Sequence, residues 1–216
     1  MLNMDLSVRV VIDSNQMAWL PSPAQGVVRK PLARQDKESG QVTSIVRYEP
    51  GSSFAAHSHP GGEEIMVLEG VFSDETGDYP AGTYIRNPPG SSHSPFSKEG
   101  CVLFVKLDQF TAGDDNQVRI NTDTTSWLPG QGGLQVMPLH DFEGEHTALV
   151  RWPKNERFVP HQHFGGEEIL VLSGTFIDEH GRYPAGSWLR SPHMSTHFPY
   201  VEEETVIWVK VGHLQE

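Results

Sequence analysis

The sequence predicts an all-β protein built as two tandem double-sheet rolls, that is, two jelly-roll barrels in one chain. Three observations carry that expectation. The apolar runs are short, rich in β-branched and aromatic residues, and bounded by Gly or Pro. The interruptions come too often for long helices. One long pattern is also spelt twice. Residues 57–93 align with residues 161–197 at a constant offset of 104, without a gap. A length of 216 residues suits one large all-β domain or two small ones, and a repeat this long, present in two copies, reads as tandem domains rather than a solenoid.

Taken in order, Leu6, Val8, Val10 and Ile12 alternate with more polar neighbours, which predicts a half-buried strand. "QVTSIVRY", "EIMVLEGVF" and "CVLFVKL" read as further strands, and each has a counterpart in the second copy. "DETGDYPAGTYIRNPPGSSH" pairs with "DEHGRYPAGSWLRSPHMSTH", and "IVRYEPGSSF" with "LVRWPKNERF". "WLPSP" near residue 19 matches "WLPGQ" near residue 127 at an offset of 108, so the first copy is expected to carry a short insertion within "RQDKESG". The polar run "TAGDDNQ", residues 111–117, reads as the linker, which divides the chain into 1–110 and 111–216.

Acidic residues outnumber basic ones by 28 to 16, a net charge of −12, and no local basic patch is visible. Such a surface repels phosphate backbones, so no nucleic-acid partner is expected. No apolar run approaches bilayer length, and "MLNMDLSVRVVIDSN" lacks the basic-then-apolar order of a secretory signal, so neither membrane nor export is expected. The single cysteine, Cys101, forbids an internal disulfide and fits a cytoplasmic location.

The chemistry lies in "HSHPGGEEIMVLEG" and "HQHFGGEEILVLSG". Residues i and i+2 of a strand face one side, so His57 and His59 project together. "PGG" turns the chain to place Glu63 beside them, and His93 returns thirty positions later. Three imidazoles and a carboxylate suit Fe(II), Mn(II), Zn(II), Ni(II) or Cu(II), and suit Ca(II) poorly. The second copy supplies His161, His163, Glu167 and His197 at the same spacing. A lone H-x-H is more often structural. Here positions 58/162, 60/164, 89/193 and 90/194 differ between copies while every donor agrees. Glu63 is preferred to Glu64 because alternation puts Glu63 on the side of Ile65 and Val67.

These residues resemble a known family. "GSSFAAHSHPGGEEIMVLEG" and "GTYIRNPPGSSH" look like the two cupin motifs, and "GGEEILVLSG", "YPAG" and "RNPPGSSH" resemble the cupin domain of ChrR-type anti-sigma factors. The resemblance spans nearly the whole chain and implies a bicupin with one metal per barrel, Zn or Fe(II) first and Mn or Ni next. It implies a regulatory protein that senses a metal, an oxidant or a small ligand through a protein partner. The family's zinc-dependent helical segment that grips the sigma factor is not legible here, since the first residues read as strand. Other similar cupins are Fe(II) dioxygenases that cleave small diketones or hydroxyketones, which makes an enzyme the alternative. Asn155 and Met194 stand where the motifs have Gly, so the first copy is expected to be the more regular site.

Arg86 and Arg190 occupy matching places and are candidates to orient a substrate in the barrel, against the plainer reading of a strand-end ion pair. Cys101 is expected to be an inert buried thiol. His140, His146, His180 and His213 are expected at the surface. An exposed sheet edge makes a homodimer a further expectation.

Overall fold

The computed structural model describes residues 1–214. Apart from a single 3-10 turn, Ser14–Gln16, the regular elements among these residues are β-strands. No helix among them is long and apolar enough to cross a membrane. The chain forms two jelly-roll units. The first comprises Met1–Met4 and Met17–Thr124; the second comprises Asp5–Gln16 together with the chain from Thr125 onward.

In the first unit the main sheet runs, in spatial order, Val118–Asn121, Thr83–Asn87, Glu63–Asp74, Cys101–Leu107, Val42–Tyr48, Val27–Arg34 and Leu20–Pro21. Strand Glu63–Asp74 pairs in its first half with Thr83–Asn87 and Cys101–Leu107, and in its last residues with Gly77–Pro80. It changes direction at Gly70, where φ is 70° and an added Cβ would lie 2.0 Å from the carbonyl oxygen of Gly100. Only glycine permits that approach. Its counterpart Gly174 (φ 72°) divides the equivalent strand into Glu167–Ser173 and Thr175–Asp178.

The inward residues of these strands form one apolar cluster per unit. Val27, Tyr48, Ile65, Val67, Phe72 and Leu103 fill the first, and Leu134, Trp152, Ile169, Val171, Phe176 and Ile207 the second. Burying Phe72 or Phe176 contributes about 2–3 kcal/mol each. Cys101 belongs to the first cluster. The longer connection expected in the first copy is present: residues 35–41 join Val27–Arg34 to Val42–Tyr48, whereas Gln135–Phe142 turns into Glu145–Trp152 through residues 143–144.

The edge strands cross over between repeats. Val10–Asp13 pairs with Ser187–Ser191 in the second unit, and Val118–Asn121 pairs with Thr83–Asn87 in the first. The registers correspond, Val10 opposite Arg190 and Val118 opposite Arg86. The strand expected from Leu6 begins only at Val10. Upstream, Asp5 Oδ1 accepts hydrogen bonds from the Ser7 amide (3.0 Å) and hydroxyl (2.6 Å), a local turn that competes with strand pairing.

Candidate metal centres

In the first unit His57–His59 and Ser91–His93 form an antiparallel ribbon, with His57 opposite His93 and His59 opposite Ser91. Alternation sends Ser58 outward and turns both histidines to the side where His93 arrives. The three ring centroids lie 4.8–5.0 Å apart. His59 Nε2 and His93 Nε2 are 3.0 Å apart, and Glu63 Oε2 lies 3.4 Å from the former and 3.5 Å from the latter. The His57 Nδ1–H donates to the Ala55 carbonyl at 2.8 Å, which leaves the Nε2 lone pair free to bind.

The second unit repeats the arrangement. His163 Nε2 to His197 Nε2 is 3.0 Å, and His197 Nε2 to His161 Nε2 is 3.3 Å. The Glu167 oxygens lie 3.4 Å from His163 Nε2 and 3.6 Å from His197 Nε2. His161 Nδ1–H donates to the Val159 carbonyl at 2.9 Å.

These spacings fit an ion. Ligand atoms about 2.1 Å from a common metal, at right-angled to tetrahedral positions, lie about 3.0–3.4 Å from one another. Side by side without a cation, the nitrogen lone pairs and carboxylate would repel. In the second unit His161, His163, Glu167 and His197 each bring a donor atom within 4.8 Å of all the others; in the first unit His57, His59 and His93 do so. In the second cluster the glutamate thus comes within that distance of all three imidazoles. In the first, Asn87 Nδ2–H donates to Glu63 Oε2 at 2.8 Å and ties the carboxylate to the sheet; Ser191 stands at the matching place in the second. The two motif departures keep the backbone shape: Asn155 and Met194 adopt φ of 65° and 61°, where Gly51 and Gly90 have 78° and 82°.

Burial sets the electrostatics. It lowers the pKa of His59 to about 4, helped by His57, and that of His163 to about 3, helped by His197. It raises Glu63, and raises Glu167 to about 7. His197 departs from the pattern. Burial pulls it down, but Asp178 and Glu167 outweigh that and leave it above the ordinary histidine value.

Two carboxylates absent from the sequence expectations stand behind the clusters. Asp74 Oδ2 lies 3.6 Å from His93 Nδ1, and Asp178 Oδ2 lies 3.8 Å from His197 Nδ1. Each faces the ring nitrogen remote from the cluster, the position from which a carboxylate orients a ligating histidine. The shared acid of "DETG" and "DEHG" was the available signal; such turns usually hold acids for local reasons, and Asp74 does accept from the Thr76 amide at 2.8 Å.

Arg86 and Arg190 are not placed to orient a substrate. Arg86 is 0% exposed, ion-paired with Glu64 (3.4 Å) and Asp114, and stacked 3.9 Å above the Phe110 ring centroid. Arg190 donates to the Asp5 carbonyl at 2.9 Å. Neighbouring Asn87 reaches Glu63, so alternation points Arg86 to the opposite face of the sheet. Glu64 likewise accepts from the Tyr84 hydroxyl at 2.6 Å, on the side away from the histidines. Two histidines expected at the surface are not exposed: His140 is buried, and His213 is half-buried, with its Nε2 3.0 Å from Glu168 Oε2.

A cavity of about 630 Å³ in the first unit runs up to the cluster, lined there by His57, His59 and Glu63.

Two jelly-roll units, each with a cluster of three histidines beside a buried glutamate, define a bicupin. The chain belongs to the ChrR cupin-like domain family, which it matches over residues 7–111 and again over 115–215. No curated protein sequence matches it. Among solved structures it is similar to a candidate dioxygenase of Nostoc punctiforme, with TM-score 0.80 and 14% identity over 97% of this chain and 85% of that one. It is also similar to Ylba of E. coli, with TM-score 0.74 and 13% identity over 98% and 93%. A deletion variant of Bacillus subtilis oxalate decarboxylase OxdC gives TM-score 0.64 and 14% identity over 94% and 76%. Another structure of that enzyme concerns its Mn(II) centres. At these identities the likeness shows the fold alone.

Proposed function

We infer that each unit holds one divalent metal ion, through His57, His59, His93 and Glu63 in the first and His161, His163, His197 and Glu167 in the second. We infer further that the first unit presents its ion to a small ligand bearing oxygen donors. The observation that carries this reading is the cavity reaching His57, His59 and Glu63. The donor set suits Zn(II) or Fe(II), with Mn(II) and Ni(II) also compatible. A bound ion supplies Lewis acidity and a template for oxygen donors. The protein's own part is positional. Ala55 fixes the His57 tautomer, Asn87 holds Glu63, and Asp74 backs His93. Val46, Leu103 and Val105 give the cavity a dry wall.

The role placed first is regulatory: a cytoplasmic sensor in which metal or ligand occupancy alters contact with a protein partner, in keeping with the ChrR family. The cavity favours a second reading, an Fe(II)-dependent dioxygenase cleaving small diketones or hydroxyketones, and the Nostoc neighbour supports it. Elemental analysis of protein purified without added metal is the first test, with about one ion per unit expected. Absence of metal, with no uptake on titration, would refute both roles. Oxygen consumption by the Fe(II)-loaded protein with 2,4-pentanedione then separates them: uptake identifies the enzyme, and binding without uptake the sensor.

A further inference from the structure

The far wall of the first unit's cavity carries three polar features that the second unit lacks at the matching positions. The first is Ser44, 2% exposed, a residue of the cavity wall whose buried Oγ makes no hydrogen bond among the described residues. A buried hydroxyl without a partner is destabilising, and a ligand atom would satisfy it. Its counterpart is Ala148: Ser44 pairs with Val105 as Ala148 pairs with Val209.

The second feature is a pair of guanidiniums at the lip, Arg29 and Arg34. Their counterparts, by the same strand pairing, are Val136 and Asp141. One carboxylate serves both. Glu38 takes a two-pronged ion pair from Arg29 (3.0 and 2.6 Å) and a looser contact from Arg34 (3.4 Å). Two guanidiniums thus share one carboxylate, in a chain whose net charge is −12; the other carboxylates lining the cavity are Glu63 and Asp108. The third feature is where Glu38 sits: on the connection at residues 35–41, which is longer than its counterpart, with its side chain 53% exposed. The shared carboxylate can swing into water without disturbing a strand.

The register gives the span. Ile65, Val105 and Ser44 lie opposite one another on adjacent strands, so Ser44 is two strands, or about 10 Å, from the strand bearing Glu63. Pro31 pairs with Ser44, which places Arg29 and Arg34 on either side of it along one strand. Between these poles the wall is Val42, Val46, Leu103 and Val105.

We propose that this cavity binds a small organic carboxylate with an apolar body. The carboxylate replaces Glu38 between Arg29 and Arg34, Ser44 hydrogen-bonds to it or to the adjoining polar atom, and the body lies along the valine–leucine wall towards His57, His59 and Glu63. The reading deepens the proposed function, and only its last clause, the orientation towards the metal cluster, rests on that function.

The test uses the full chain stripped of metal by chelation, with hexanoate as the probe and hexanamide as its neutral match, followed by calorimetry. Hexanoate is expected to bind at least tenfold more tightly than hexanamide. Glu38→Gln, which removes the competing anion, is expected to tighten hexanoate several-fold. Arg29→Gln is expected to weaken it tenfold or more, with thermal unfolding confirming that the variant is folded, and Ser44→Ala to weaken it a few-fold. Equal binding of hexanoate and hexanamide, no binding of hexanoate, or a Glu38→Gln variant with unchanged or weaker affinity would overturn the proposal. Because the measurement is made without metal, failure of metal binding leaves these outcomes unaffected. A metal-replete protein blind to hexanoate sinks only the carboxylate site.

Discussion

Arg9 donates to Asp178 Oδ2 at 2.7 Å, and that same oxygen lies 3.8 Å from His197 Nδ1. A residue from the start of the chain thus steadies the carboxylate behind a histidine of the second cluster. Tyr183 adds a 2.7 Å hydrogen bond to the other oxygen. Asp178→Asn keeps the shape and removes the charge, and is expected to weaken metal binding in the second unit by about 10–100-fold. Competition with a chromophoric chelator measures this, and the first unit's affinity should not change.

His57→Ala removes one donor from the first cluster and none from the second, so it should empty the first site alone. The readout is metal content per chain, falling by about one ion. Loss of both ions would mean that the two clusters are coupled.

Metal uptake by the second unit should release protons as the solution is acidified. The Glu167 carboxyl, raised to about 7 by burial, is protonated below that pH, and an ion requires the carboxylate. His197, raised above its usual value, must also shed a proton, whereas His163, lowered to about 3, is already neutral. Affinity is therefore expected to fall by about tenfold or more per pH unit as the solution is acidified below 7. Calorimetry in buffers of different ionisation enthalpy counts the protons released.

Cys101 is 3% exposed, and burial pushes its thiol up to about 11. Little thiolate exists near neutrality, so disulfide reagents should react slowly with the native protein at pH 8 and at the rate of a free thiol in guanidinium. Rapid native reaction would show that the strand Cys101–Leu107 opens readily.

Gly70→Ala would drive a methyl group into the Gly100 carbonyl and force a side chain onto a positive φ. A loss of about 2–4 kcal/mol is expected, read as a lower urea midpoint.

Much of this was legible in the sequence because two barrels were written in one chain. The fixed offset between copies separated invariant donors such as His57 and His161 from replaceable neighbours. Strand alternation alone chose Glu63 over Glu64. What escaped depends on contacts between distant segments. Arg86 looked like a substrate anchor because its partner Asp114 lies in the stretch that reads as a linker. His213 looked exposed because nothing local reveals Glu168 beneath it. Asp74 and Asp178 were hidden among ordinary turn residues. The alternation around Val10 announced a strand but carried no information about which barrel would receive it.

The exchanged edges have a consequence for how such a protein can be taken apart. A cut at residues 110 and 111 yields two fragments, and neither keeps the edge pairing it has in the whole chain. The leading piece would keep Val10–Asp13 with no Ser187–Ser191 to lie against, and would leave Thr83–Asn87 without Val118–Asn121 along one edge. The trailing piece would have the reverse defect. Each fragment holds the missing piece of the other, so co-expression should rescue what separate expression loses. The duplication is joined by exchanged strands, and a fragment holding one copy would have to close on its own equivalent edge strand instead.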